Sequence, residues 1–262
     1  MYEEIISMWQ AFSIESISDY EKYLGNFKIL FAYHSGKIEN EAITYHDTRE
    51  VFEHGKVINF SGSPRTLFET QNQKICYEFL LAHLQNRTPL SLQLIKEVHR
   101  VLTEGTYDER RYIENGERPG EFKKGDYITG RHEVGSSAEH VAEDLEELML
   151  ELSGFVGKIT PGNALTAAAY FHAAFENIHP FADGNGRVGR TLLNYFLMLH
   201  DHPPLIIYEE NKQFYYEALE VFDEIGEIQP LKEFFKYQVE RTWEKQLALS
   251  KGERPKRSRM KL

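Results

Sequence analysis

The sequence predicts an all-α fold interrupted by one small β-hairpin, and three features carry that expectation. Apolar residues recur at three- and four-residue intervals along most of the chain, a spacing that places them on one face of a helix. Only residues 122–134 mix β-formers with punctuating glycines as a hairpin does. No internal repeat and no linker divides the 262 residues, which are therefore expected to form one domain around one core.

Taken in order, Ile17, Tyr20, Leu24, Phe27 and Phe31 mark the first amphipathic helix. Similar patterns cover residues 71–86, 91–102, 138–152, 164–177 and 188–200. Pro230 suits a first helical turn, where its missing N–H costs nothing. Leu231, Phe234, Phe235, Val239, Trp243 and Leu247 follow it as one apolar face, so this helix should close the core. The tail from Lys251 is basic and reads as a solvated, frayed end.

Hydrophobic residues make up 41% of the chain and charged residues 27%, the balance of a sequence that folds. A formal charge of -11 argues against broad binding to nucleic acid, which needs cations to neutralise phosphates. Cys76 is the one cysteine, and residues 1–12 are acidic where a signal peptide would be basic. Both point to a reducing, cytoplasmic setting. The longest apolar stretches, such as residues 192–199, fall well short of the ~20 residues a membrane span needs.

The chemistry concentrates in residues 179–190, His-Pro-Phe-Ala-Asp-Gly-Asn-Gly-Arg-Val-Gly-Arg. They lie between two helical patterns, so the loop should feed into a helix beginning near Arg187. A helix start presents unpaired N–H groups and a positive dipole end, and Gly184 and Gly186 let the backbone approach a ligand. Arg187 and Arg190, three apart, share a helix face on which two guanidinium forks could hold adjacent phosphates. Asp183 offers a hard oxygen for Mg2+, which is held by one or two carboxylates together with phosphate oxygens. The imidazole of His179 can accept a proton from an incoming hydroxyl. Any one of these groups could be an ordinary ion pair or a satisfied histidine. All of them within twelve residues, at one loop-to-helix junction, point to phosphate chemistry. The Walker pattern GxxxxGK followed by Ser or Thr is missing, so this is not a P-loop of that type.

This segment resembles the Fic family motif H-x-F-x-D/E-G-N-G-R-x-x-R and matches it at every specified position. The resemblance covers about residues 30–240. It implies a Fic-fold helical domain with N-terminal helices over 1–60, a catalytic core over about 61–240 and a flexible tail over 251–262. It also implies a protein adenylyltransferase, which moves AMP from ATP to a Ser, Thr or Tyr hydroxyl of a protein and releases diphosphate. His179 would be the general base, Asp183 would hold Mg2+, and Gly184, Asn185 and Gly186 would bind the phosphates. Arg187 and Arg190 would hold the β- and γ-phosphates, and Phe181 would anchor the loop in the core. Gly184 favours AMP transfer over the phosphoryl transfer of Doc-like relatives, which have alanine there.

The expected hairpin falls where Fic enzymes place a flap that docks the target segment, which makes Tyr127, Ile128, Thr129 and Gly130 the docking candidates. Backbone pairing with an extended peptide would suit such a flap. Lys123 stands where family members often have arginine. Residues 211–219 resemble the stretch whose tyrosines border the adenine, so Tyr215 and Tyr216 are candidates, with core packing the other account of each. Asp223 replaces an Asn that relatives can use on the base. His172 recurs in the family pattern and is expected to be structural.

Far from this segment, Ser35-Gly-Lys-Ile-Glu39-Asn40 resembles the Fic inhibitory motif S/T-x-x-x-E-G/N. From the residues alone, Ser35 could cap a helix start, with Glu39 one turn on along the same face. The resemblance implies that Glu39 pairs with Arg190 and takes it from the γ-phosphate. Two other functions would use the same residues: removal of AMP from a modified protein, with Glu39 orienting a water, and a nucleotide-sensing module without transfer. The expected partners are ATP and a protein substrate, which could be the chain itself; no nucleic acid or membrane is expected, and a homodimer is compatible.

Overall fold

Side-chain caps mark where four of the helices begin. Ser16 opens α2 with a capping box, in which its side chain accepts from the Asp19 N–H and the Asp19 carboxylate accepts from the Ser16 N–H. Thr44, Ser63 and Ser91 cap α3, α4 and α5 with one bond each, the side-chain oxygen accepting from the N–H three residues on, and Pro64 follows Ser63 in the first turn of α4. The computed structural model describes residues 1–127, 135–155 and 158–252. Its helices are α1 (Tyr2–Ala11), α2 (Ile17–Glu39), α3 (Tyr45–His54), α4 (Pro64–Gln85), α5 (Leu92–Thr103), α6 (Val141–Phe155), α7 (Ala164–Ile178), α8 (Asn185–Leu199), α9 (Lys212–Ile225) and α10 (Gln229–Ser250). A π-helical turn lies at Arg110–Glu114 and a 3-10 turn at Glu209–Asn211.

The all-α class is what the structure shows, with no strand among the described residues. Residues 122–127 are irregular, and the rest of the expected hairpin, including Ile128, Thr129 and Gly130, lies outside the described residues. The short helices α1 and α3 escape a reading by periodicity. Only Thr48 and Val51 are buried on α3, too thin a stripe to stand out. Ser35 is not a helix cap, because α2 runs unbroken from Ile17 and Ser35 lies in its closing turns. The helix expected near Arg187 begins two residues earlier, at Asn185.

Helix α8 is the axis of the core. Arg187 to Leu197 are all buried, because α2, α4, α5 and α7 surround them. A helix enclosed on every side cannot shift without disturbing its neighbours, so its N-terminus is a rigid platform. On the far side α10 packs on α1, α7 and α9 through Leu231, Phe235, Val239, Trp243 and Leu247, all buried. Trp243 meets Trp9 edge-on at 5.2 Å, and Tyr2 bonds to His202 at 2.7 Å, which fastens α1 to this layer. Among the described residues no helix is long and apolar enough to cross a membrane.

Candidate active site

The site forms where α7 stops and α8 starts. His179 ends α7 in the left-handed region at φ 52°, its N–H still bonded to Phe175 O at 3.0 Å. A non-glycine residue held there stores strain, a feature that clusters at functional sites. Phe181 then turns into the core and stacks on His99, with ring centroids 3.7 Å apart and planes 2° from parallel. The Asn185 side chain closes the loop from inside, accepting from Phe181 N–H at 2.9 Å and donating to Phe181 O at 2.7 Å. His99 holds the other side. Its Nδ1 accepts from Gly120 N–H at 2.8 Å, so its Nε2–H is the one that donates to the Asp183 carbonyl at 3.0 Å.

Gly184 precedes α8 at φ 83° as a cap with no side-chain bond, so among the described residues no cap side chain satisfies the first N–H groups of this buried helix. A helix terminus of this kind favours an anion. The cationic side chains around it are fixed by carboxylates. Arg187, buried, lies 3.4 Å from Glu69 and 3.8 Å from Asp183. Arg65 reaches the same two acids, with Nε on Glu69 at 2.9 Å and Nη2 on Asp183 at 2.8 Å. Burial alone would raise the Asp183 carboxyl, but Arg187, then Arg65 and Arg111, outweigh it and hold it below its ordinary value.

Arg190 is fully buried and held from α2. It donates from Nε to Ser35 Oγ at 3.1 Å and from Nη2 to Ser35 O at 2.9 Å and Glu39 Oε1 at 2.8 Å. Burial works against its charge, but Glu39 more than restores it. The Glu39 carboxylate lies across the first turn of α8, where a Cβ on Gly186 would collide with it and with Arg190. Asn40, the next residue, donates to Glu69 Oε2 at 2.7 Å, so the end of α2 is tied to the acid that holds Arg187.

His179 is pushed down to about 4, first by burial and then by the Lys123 charge, so it is a neutral imidazole at pH 7. The chain on both sides of residues 128–134 is bonded to the His179 loop: Lys123 N–H donates to Pro180 O at 2.9 Å and Ser136 N–H to Ile178 O at 3.0 Å. Tyr127 donates to Glu117 at 2.6 Å. Tyr215 is buried and bonds His172 at 2.7 Å, which places both in the core. Tyr216 is the exposed member of the pair at 46%, within the electrostatic reach of Glu39 and Arg190. Asp223 accepts from Asn177 at 2.9 Å.

Among the described residues no group of three or more His, Cys, Asp and Glu gathers as a metal cage. A cation here would be held by Asp183 alone together with phosphate oxygens, a donor set that fits Mg2+. Sequence reading missed Arg65, Glu69, His99 and Thr103. Each lies 80 or more residues from Asp183 or Gly184, outside any local motif; Arg65 and Glu69 on α4, like His99 and Thr103 on α5, are four apart on one helix face, a spacing that could have drawn notice.

Residues 89–197 match the model of the Fic/DOC family. The protein adenylyltransferase Fic of Drosophila persimilis is 29% identical over 212 residues, which are 80% of this chain and 39% of that protein. The protein of the same name from Aedes aegypti is 30% identical over 213 residues, 80% and 40% of the two chains. The chain thus spans about two fifths of the length of these curated relatives. A solved Fic domain containing signaling protein from Bacteroides thetaiotaomicron superposes with a TM-score of 0.80 at 23% identity, over 96% of this chain and 97% of that one. Fic-1 from C. elegans, carrying a Glu-to-Gly substitution, superposes at 0.77 with 24% identity, over 96% and 72%. Both share the fold.

Proposed function

We propose that the chain, whose residues 89–197 match the Fic/DOC family model, is a protein adenylyltransferase, moving AMP from ATP to a protein hydroxyl and restrained by Glu39. The observation that carries this reading is the uncapped N-terminus of α8, ringed by buried arginines, with a neutral histidine at the end of the preceding helix. In the reaction His179 takes the proton of a Ser, Thr or Tyr hydroxyl as its oxygen bonds to the α-phosphorus. The bond from that phosphorus to the β-bridging oxygen breaks, and diphosphate leaves. Arg187 and Arg190 receive the charge of the departing β- and γ-phosphates. Phosphate charge entering beside His179 raises its pKa from about 4, which makes it a better base when substrate is present. Mg2+, when bound at Asp183, would neutralise part of the phosphate charge. Tyr216, the exposed member of the pair, is the better candidate to border the base, and residues 127–130 are the candidate docking segment. Buried, unpaired Cys76 is compatible with a reducing, cytoplasmic setting.

Glu39 restrains transfer because its carboxylate and a γ-phosphate compete for Arg190 and for the same space over Gly186. Releasing it should raise transfer roughly 5- to 150-fold, the span of typical coupling energies. The test is mass spectrometry of Glu39→Gly and His179→Ala proteins incubated with ATP, Mg2+ and cell lysate. A +AMP adduct should grow with the first variant and vanish with the second. Glu39→Gly protein that binds ATP yet labels nothing would favour a nucleotide-sensing module. The Glu39 side chain is 36% exposed, so water can reach it, and this favours AMP removal as the second reading. An AMP-modified protein losing AMP to the unaltered chain, but not to Glu39→Gly, would support that direction.

A further inference from the structure

Arg65 stands in the first turn of α4, behind the Ser63 cap and Pro64, so its backbone is fixed. Its guanidinium spans two acids of different standing. Nε donates to Glu69, a buried carboxylate that also faces Arg187 and accepts from Asn40. Nη2 donates to Asp183, the carboxylate that a nucleotide–metal complex would need. The two arginines near Asp183 also differ. Arg187 is 3% exposed and locked in the core, whereas Arg65 is 40% exposed, and a partly solvated ion pair of that kind is weak. Arg65 is the partner that can leave.

We propose that Arg65 is a further positioning residue of the nucleotide site: it occupies Asp183 until a divalent cation claims that carboxylate, then turns Nη2 to the phosphates while Nε stays on Glu69. The proposal rests on the nucleotidyl-transfer reading and adds to it the residue that sets the divalent-cation requirement. Arginine suits the task where lysine does not, because only the planar fork offers separate donors to two carboxylates. The guanidinium and the cation compete because each needs the carboxylate lone pairs of Asp183.

The test is calorimetric binding of the α,β-methylene analogue of ATP to the full chain, with Mg2+ titrated at fixed nucleotide, for the unaltered protein and Arg65→Gln. The substitution should lower the Mg2+ midpoint roughly 1.5- to fivefold, the weight of a partly exposed ion pair. It should also weaken nucleotide binding measured in EDTA. In an Asp183→Asn background the Arg65 substitution should leave the midpoint unmoved, since the two residues act as a pair. Thermal unfolding checks that the variants fold. A midpoint that does not move, or moves equally in the Asp183→Asn background, overturns the proposal. If the unaltered chain binds no nucleotide with or without Mg2+, the nucleotidyl-transfer reading fails first and takes this role for Arg65 with it.

Discussion

At Gly184 the backbone has φ 83°, and Thr103 Cγ2 stands 2.7 Å from where a Cβ would be. Two separate costs therefore fall on any side chain there: left-handed backbone, at about 1–2 kcal/mol for an L-residue, and overpacking against a buried methyl, at about 1–3 kcal/mol. Gly184→Ala should accordingly lower stability by about 2–5 kcal/mol, read from urea unfolding. Adding Thr103→Ser removes the methyl but keeps the hydroxyl that donates to His99 O at 2.8 Å. It should therefore recover the packing share and leave the backbone share. Equal loss in single and double variants would refute the contact. In this chain, then, the glycine has a structural cause as well as the role in donor chemistry that family resemblance implies.

The helices and the phosphate cradle were legible in sequence for the same reason: each is written in consecutive residues. Apolar spacing marks α2 through Tyr20, Leu24 and Phe27, and residues 179–190 carry the whole loop-to-helix junction. What escaped depends on contacts between elements. Arg65 meets Asp183 across 118 positions, and His99 meets it across 84. The α7–α8 contact is of this kind too. Glu176 lies against Gly189, where any Cβ would collide with its carboxylate, and burial pushes that carboxyl up to about 8. The folded chain thus keeps a proton that the unfolded chain releases near pH 4.5. Stability from this group is present below that pH and is lost as pH rises through about 8. Glu176→Gln keeps the shape without the titration. Its advantage should be absent near pH 4.5, grow to on the order of a few kcal/mol by pH 8, and stay constant above. The side chain is 15% exposed, and its access to water should keep the gain below the full linkage value. Unfolding midpoints at pH 5 and pH 9 decide it, and an equal difference at both would remove the buried-proton account.

Across the whole molecule, four buried histidines pull the other way. His99 and His172 are held down to about 3, and His34 and His202 to about 4, in each case chiefly by burial. They lie on α2, α5, α7 and the segment after α8, and each bonds to another element: His34 to Glu209, His99 to Asp183 and Gly120, His172 to Tyr215 and His202 to Tyr2. Because their folded pKa values are depressed, their stabilisation is present above about 6.5, where the unfolded chain's histidines are neutral, and is lost as pH falls from there toward 3–4. Each contributes a slope of about 1.4 kcal/mol per pH unit within that window. Net charge makes the opposite forecast. A chain of formal charge -11 relieves its own repulsion as pH falls toward a pI near 5.5, which should strengthen the fold. The histidine bonds are local and buried, while surface repulsion is screened by salt over about 8–10 Å, so the histidines should win. Stability measured by urea unfolding at physiological salt should fall steadily between pH 6.5 and 4.5. His202→Gln should reduce that slope by about one proton's worth, even if it lowers stability at pH 7. A flat or rising profile would mean that charge repulsion outweighs the buried imidazoles.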